Sequence, residues 1–135
     1  MKITDYELHI RKERKKLDAI SNRIINELTL GESDVYRMCN ATLIVVLCGK
    51  SGSGKTRSIE IANDRLPKNR KIAECHDIFD YKDAKAAFEV LPARYDDAPK
   101  YHDCEYVVYS LLDTETGKAM AANYPIVKVI FCENP

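Results

Sequence analysis

Gly49-Lys50-Ser51-Gly52-Ser53-Gly54-Lys55-Thr56 follows directly on Thr42-Leu43-Ile44-Val45-Val46-Leu47-Cys48, an apolar, β-branched run of strand length that carries no charge. After it, Lys55 to Leu66 places Ile59, Ala62 and Leu66 along one helical edge and stops at Pro67. Proline lacks the backbone donor a helix needs and so ends it. A strand, a glycine-rich turn and a helix in succession make the first unit of an α/β fold.

The turn has a chemistry of its own. Glycines let the backbone fold with its amides facing inward, forming a nest of partial positive charge that holds phosphate oxygens. The helix that follows adds its N-terminal dipole at the same spot. The pattern G-x-x-x-x-G-K-[ST] from Gly49 to Thr56, with Gly52 as an additional glycine, resembles the Walker A motif of P-loop NTPases. That resemblance implies that residues 49–56 cradle the phosphates of ATP or another nucleoside triphosphate. It further implies that Lys55 reaches the β- and γ-phosphates and that Thr56 offers its hydroxyl to Mg2+. The competing readings are a chance glycine-rich turn, and a loop that binds nucleotide without hydrolysing it.

A chain of 135 residues fits one domain with a real core, small for a complete nucleotide-driven motor. Its formal charge is zero, but the charges are uneven: residues 49–72 hold seven basic and two acidic side chains, and residues 73–117 four basic and eleven acidic. A basic loop region suits phosphate; the acidic middle supplies either metal ligands or, for most of its members, solvated surface. The five cysteines form no C-x-x-C pair, and Cys48 and Cys132 sit in apolar runs where cysteine acts as a small hydrophobe. With no signal segment and no apolar run near ~18 residues, the expectation is a soluble, reduced, cytoplasmic protein without a membrane span.

Upstream, residues 3–30 read as one long amphipathic helix. Ile3, Tyr6, Ile10, Leu17, Ile20, Ile24 and Leu28 recur near the helical period, Glu13 interrupts them, and Gly31 provides a stop. The stripe is expected to fold back on the α/β core; otherwise it pairs with a second copy, giving a homo-oligomer, or with a protein partner. Arg11-Lys12-Glu13-Arg14-Lys15-Lys16 on this helix is a solvated face first and a nucleic-acid contact second. Residues 1–40 are thus an N-terminal helical segment, with a short helix or turn at 33–40, and residues 41–135 a nucleotide-binding domain.

Downstream, Lys71 to Cys75 is a weak second strand, and a helix from an Asp80 cap carries Ala84, Ala87, Phe88 and Leu91 on one face up to Pro92. Residues 92–103 are loop by composition, while 106–112 and 126–132 are apolar strands. Between those strands, a helix over Ala119-Met120-Ala121-Ala122 makes them parallel, whereas a turn over Thr114 to Lys118 makes them a hairpin. Alanine favours the helix and hence the crossover.

Leu111-Leu112-Asp113, an apolar strand ending in a carboxylate, resembles a Walker B motif, which implies that Asp113 holds the magnesium through water. The acid that the family places directly afterwards comes one position late here, as Glu115, with Thr114 between. The alternative is that Asp113 caps a turn before Gly117. Asp80, after Ile78-Phe79, is a second candidate on a poorer strand. The last strand, ending in Cys132-Glu133-Asn134-Pro135, resembles the sensor-1 strand of AAA+ ATPases and motif C of superfamily-three viral helicases. This implies that Asn134 positions the attacking water. That family continues into a fifth strand beside the P-loop strand, so the chain is expected to be either a piece of a larger ATPase or a small protein that kept the nucleotide cradle. In the second case the N-terminal helix would cover the edge the fifth strand would occupy.

Cys75-His76 and His102-x-Cys104 lack structural-zinc spacing. Tyr95, Tyr101 and Tyr109 beside Arg94 and Lys100 offer stacking surfaces, but their acidic neighbours disfavour a nucleic-acid groove. The expected fold is α/β, a three-layer P-loop-like sandwich with a short, mostly parallel sheet and a long N-terminal helix. The expected function is binding of a magnesium–nucleoside triphosphate. Two classes lead beyond that: an AAA+- or helicase-like ATPase acting on nucleic acid, and a non-catalytic regulator that binds a protein partner through the same scaffold; a small phosphotransferase is a weaker third, because no acceptor-binding lid with clustered arginines is evident.

Overall fold

The run Ile44–Cys48 forms β1 with every residue buried. A strand so continuously apolar must be covered on both faces and paired on both edges, and the sheet provides both. In the computed structural model, which describes residues 4–31, 44–68, 71–91 and 104–132, β1 lies between two parallel neighbours. These are β3 (Cys104–Leu111) and β4 (Val127–Phe131), and β2 (Lys71–Cys75) pairs outside β3. The order is β2-β3-β1-β4, all parallel.

Alternation along these strands sorts the core into two layers. Val45, Leu47, Ile72, Val108 and Ile130 meet Ile20, Ile24 and Leu28 of α1 (Asp5–Gly31), together with Ile59 and Ala62 of α2 (Lys55–Arg65). On the other face Val46, Cys48, Cys75, Leu111 and Val127 meet Ala87 of α3 (Ala84–Val90) and Met120 of α4 (Thr114–Asn123). The architecture is α/β, with helices on both sides of a parallel sheet.

Three expectations change. The helix after β2 starts at Ala84 with Asp83 as its cap, not at Asp80: the Asp83 carboxylate accepts from the Lys85 amide at 3.1 Å, while residues 76–81 form turns closed by Phe79 N–H to His76 O and Tyr81 N–H to Ile78 O. The connection after β3 is the helix that alanine favours, so β3 and β4 run parallel, but it starts earlier than the alanine cluster: Asp113 caps it, and the Asp113 carbonyl accepts its first main-chain bond, from Gly117 N–H at 3.0 Å. The position beside β1 is filled by β4, so α1 covers a face of the sheet rather than an open edge.

Only the second half of α1 joins the core. Ile20, Ile24 and Leu28 are buried, whereas residues 4–15 are all exposed, Tyr6 at 73 % and Ile10 at 47 %. The Ser21 hydroxyl donates to Ser58 O at 2.7 Å, and Arg65 reaches both Asp18, at 2.8 Å, and Asn22, tying α1 to α2. In the same last turn of α2, the Asn63 amide brackets Ile72, donating to its carbonyl at 3.1 Å and accepting from its N–H at 2.7 Å. The clamp holds β2 where its pairing with β3 is irregular, between Lys71 and Ile72. Residues 33–40 and 92–103 lie outside the described residues.

Candidate functional site

The chain leaves β1 leftward over β3 to reach β2, and leaves β3 rightward over β1 to reach β4. Adjacent strands whose connections part in opposite directions open a crevice at their carboxyl ends, where ligands of parallel α/β sheets bind. Residues 49–54 and residues 112–113 both follow those ends.

The loop is pinned at its base by Gly49 N–H to Leu111 O, at 3.0 Å, and turned by Ser53 N–H to Lys50 O, at 3.1 Å. Gly52 and Gly54 have φ of 84° and 98°, a left-handed backbone that side-chain-bearing residues adopt at a cost. Gly54 is also the N-cap of α2 and provides no side-chain cap. The first amides of α2 are therefore left for whatever occupies the crevice, with the helix dipole behind them.

Lys55 is 6 % exposed. Its ammonium donates to the carbonyls of Gly49 and Lys50, and lies 5.9 Å from the centre of the Phe79 ring. Two of three ammonium hydrogens thus fix the side chain across the loop, and it still lines the cleft. Beside it the Thr56 hydroxyl meets both carboxylate oxygens of Glu74, at 2.8 and 3.2 Å. Glu74 in turn lies 3.6 Å from Nε2 of His76, whose ring meets Phe79 edge-on at 5.3 Å. Phe79 is held there by Leu112 N–H to Phe79 O, at 2.9 Å. These groups, the loop and Ser110 enclose an open cleft of about 470 Å³. The hydroxyl of Ser110, on a residue 0 % exposed, has no hydrogen-bond partner among the described residues. Buried hydroxyls are nearly always satisfied, so an orphan on the wall of a cleft marks a place for a ligand or its water.

Asp113 is not in this cleft. It caps α4, accepting from the Thr116 hydroxyl at 2.6 Å and the Thr116 amide at 2.9 Å. Asp113, which the Walker B resemblance pairs with Thr56, does not line the cleft, and the Thr56 hydroxyl meets Glu74. The helix that begins immediately after β3 takes Asp113 for its own amides. Glu115 is on the exposed first turn of α4, 3.4 Å from Lys118, and Asp80 is exposed outside the cleft. Tyr109 is buried against the α3 and α4 layer, where it cannot stack a base. Asn134, Arg94, Tyr95, Lys100, Tyr101 and His102 lie outside the described residues. Cys75 is buried on the far face of the sheet from the exposed His76.

Glu74 and Ser110 escaped the sequence reading. Each left a signal: one acid within a short strand, and one hydroxyl inside an otherwise apolar one. Both side chains fall on the α2 face, Glu74 two positions from Ile72 and Ser110 two from Val108.

The two hydrogen bonds from Thr116, the hydroxyl's first and the amide's second, hold the Asp113 carboxyl below its ordinary range. A depressed folded pKa contributes stability that is full above the unfolded value of about 3.9 and disappears as pH falls through the folded value. Urea midpoints are therefore expected to drop below about pH 4, with a shallower drop in Asp113→Ala. Parallel curves for the two proteins would contradict this.

No protein-family model, curated protein or solved structure matches this chain. No described helix is long and apolar enough to cross a membrane.

Proposed function

We propose that the chain binds a nucleoside triphosphate, ATP first among them, as its magnesium complex, with the β- and γ-phosphates on residues 49–56. One observation carries the reading: a buried Lys55 clamped across the carbonyls of a loop with two left-handed glycines, at the uncapped start of a helix. Such a lysine beside free amides suits a multiply charged anion better than any neutral ligand.

The residues present fit magnesium. The Thr56 hydroxyl gives its hydrogen to Glu74 and keeps lone pairs for the cation, so Glu74 orients the ligand oxygen and accepts from metal-bound water. One hydroxyl, one carboxylate, phosphate oxygens and water form the oxygen-only set that magnesium takes, and the metal supplies charge neutralisation of the phosphates when bound. Ser110 lines the same cleft as Thr56 and Glu74.

Binding is the primary activity in this reading, and turnover is slow. Among the described residues, the carboxylates assigned by resemblance to hydrolysis lie on α4, away from the cleft, with Asp113 occupied as a cap. That placement favours the nucleotide-binding regulator over the AAA+- or helicase-like ATPase acting on nucleic acid.

The test is thermal unfolding with magnesium and ATP. At one hundred times Kd, ligand binding stabilises the native state by about 2.7 kcal/mol, and Lys55→Ala is expected to abolish that shift. A wild-type protein that no nucleoside triphosphate stabilises sinks the proposal. Phosphate release from the wild type at the rate of an active motor would reinstate the ATPase.

A further inference from the structure

We infer that the exposed first half of α1 is the wall against which the nucleoside end of the triphosphate lies, with Glu13 taking the ribose hydroxyls and Ile10 and Tyr6 the base. The inference rests on the nucleotide reading above and says where the rest of that ligand goes.

The polyphosphate has a direction. Thr56, Glu74 and Ser110 place its metal-bearing end on the β3 and β2 side of the loop. The opposite end therefore leaves toward β1 and β4, the side covered by α1. There α1 touches the loop itself: a Cβ on Gly54 would stand 2.6 Å from Cδ2 of Leu17. Leu17 is the point where α1 parts from the body of the fold, since residues 4–15 are exposed.

Helical geometry fixes what continues from that point. At 3.6 residues per turn, Glu13, Ile10 and Tyr6 fall within about 40° of the direction of Leu17. They rise about 6, 10 and 16 Å beyond it along the axis. The first two distances match the reach from a β-phosphate in the loop to the ribose and base. An acid at position 13 breaks an apolar stripe without any packing reason, and a carboxylate is the group that accepts from vicinal ribose hydroxyls. Exposed Ile10 and Tyr6 next along the stripe offer the apolar and aromatic surface a base needs. A second copy pairing along this helix would find no continuous seam, because Leu8, the other exposed apolar residue nearby, lies on the opposite side of the helix.

Isothermal titration of the full chain with magnesium and either ATP or inorganic tripolyphosphate separates the two ends of the ligand. The wild type is expected to prefer ATP by about 10-fold or more, in line with a charge-assisted hydrogen bond and a buried ring face. Glu13→Ala and Ile10→Ala, both at exposed positions, should each remove about 5- to 10-fold of that preference and leave tripolyphosphate binding unchanged. Equal wild-type affinity for ATP and tripolyphosphate overturns the inference while leaving the loop as a phosphate site. So does an ATP preference that both variants keep, or self-association that both abolish with ATP affinity intact. Binding of neither ligand overturns the nucleotide reading, and this inference with it.

Discussion

Glutamine at position 74 is expected to weaken binding of magnesium–ATP by about 10- to 100-fold, the range for losing an outer-shell partner of a metal ligand. ATP measured in the presence of a chelator should bind the variant and the wild type alike. Glutamine keeps the length and shape of the side chain but removes the charge, and its amide offers hydrogens where the Thr56 hydroxyl and metal-bound water need acceptors. The Thr56 oxygen, bonded to both carboxylate oxygens in the native protein, would turn and lose its aim. Asp113→Asn is the paired control. Asparagine caps helices about as well as aspartate, so α4 should survive at neutral pH, and magnesium–ATP affinity should not change. The Walker B resemblance makes the opposite forecast for the pair. A loss in Asp113→Asn with Glu74→Gln unaffected would return the metal to Asp113 and remove Glu74 from the site.

The contest between those two carboxylates shows which parts of the site were legible in one dimension. Strand, loop and helix over residues 44–65 could be read directly, because a charge-free β-branched run, three glycines and a helical edge are local signals, each within reach of its neighbours in sequence. A carboxylate at the end of an apolar strand is a different kind of signal. It stands equally well for a metal ligand and for the cap of a helix starting one residue later. In the structure Asp113 is a cap, with both the hydroxyl and the amide of Thr116 on its carboxylate. Glu74 was hidden because its strand is short and barely apolar. Its meaning comes from β2 pairing beside β3, which aims it across at α2, and no periodicity reports the order of strands in a sheet. The same holds for β4, which sits beside β1 through a pairing that a strand pattern cannot specify. In α1 the helical period was legible throughout, yet it could not say that burial begins only after Lys15.

Alanine at Gly54 is expected to cost about 2–5 kcal/mol of stability, from left-handed strain of about 1–2 and overpacking of about 1–3. At φ 98° every residue with a Cβ is strained, and that Cβ would press on Leu17 Cδ2 at 2.6 Å. Gly52, at φ 84°, has nothing among the described residues within 4 Å of the same atom, so Gly52→Ala carries the strain alone and should cost about half as much. The two contributions at Gly54 separate in a double-mutant cycle. Leu17→Ala removes the clash, so Gly54→Ala should cost less in that background than in the wild type, a coupling absent for Gly52. Urea denaturation of the six proteins measures it. Because the same backbone turn aims the amides at the crevice, Gly54→Ala should also lose at least about tenfold in affinity for magnesium–ATP even when Leu17→Ala has restored part of the stability. If Gly54→Ala binds the nucleotide normally, the amides of this turn are not what holds the phosphates. If the cycle shows no coupling, α1 does not rest on the loop, and the direction assigned to the nucleoside end loses its anchor.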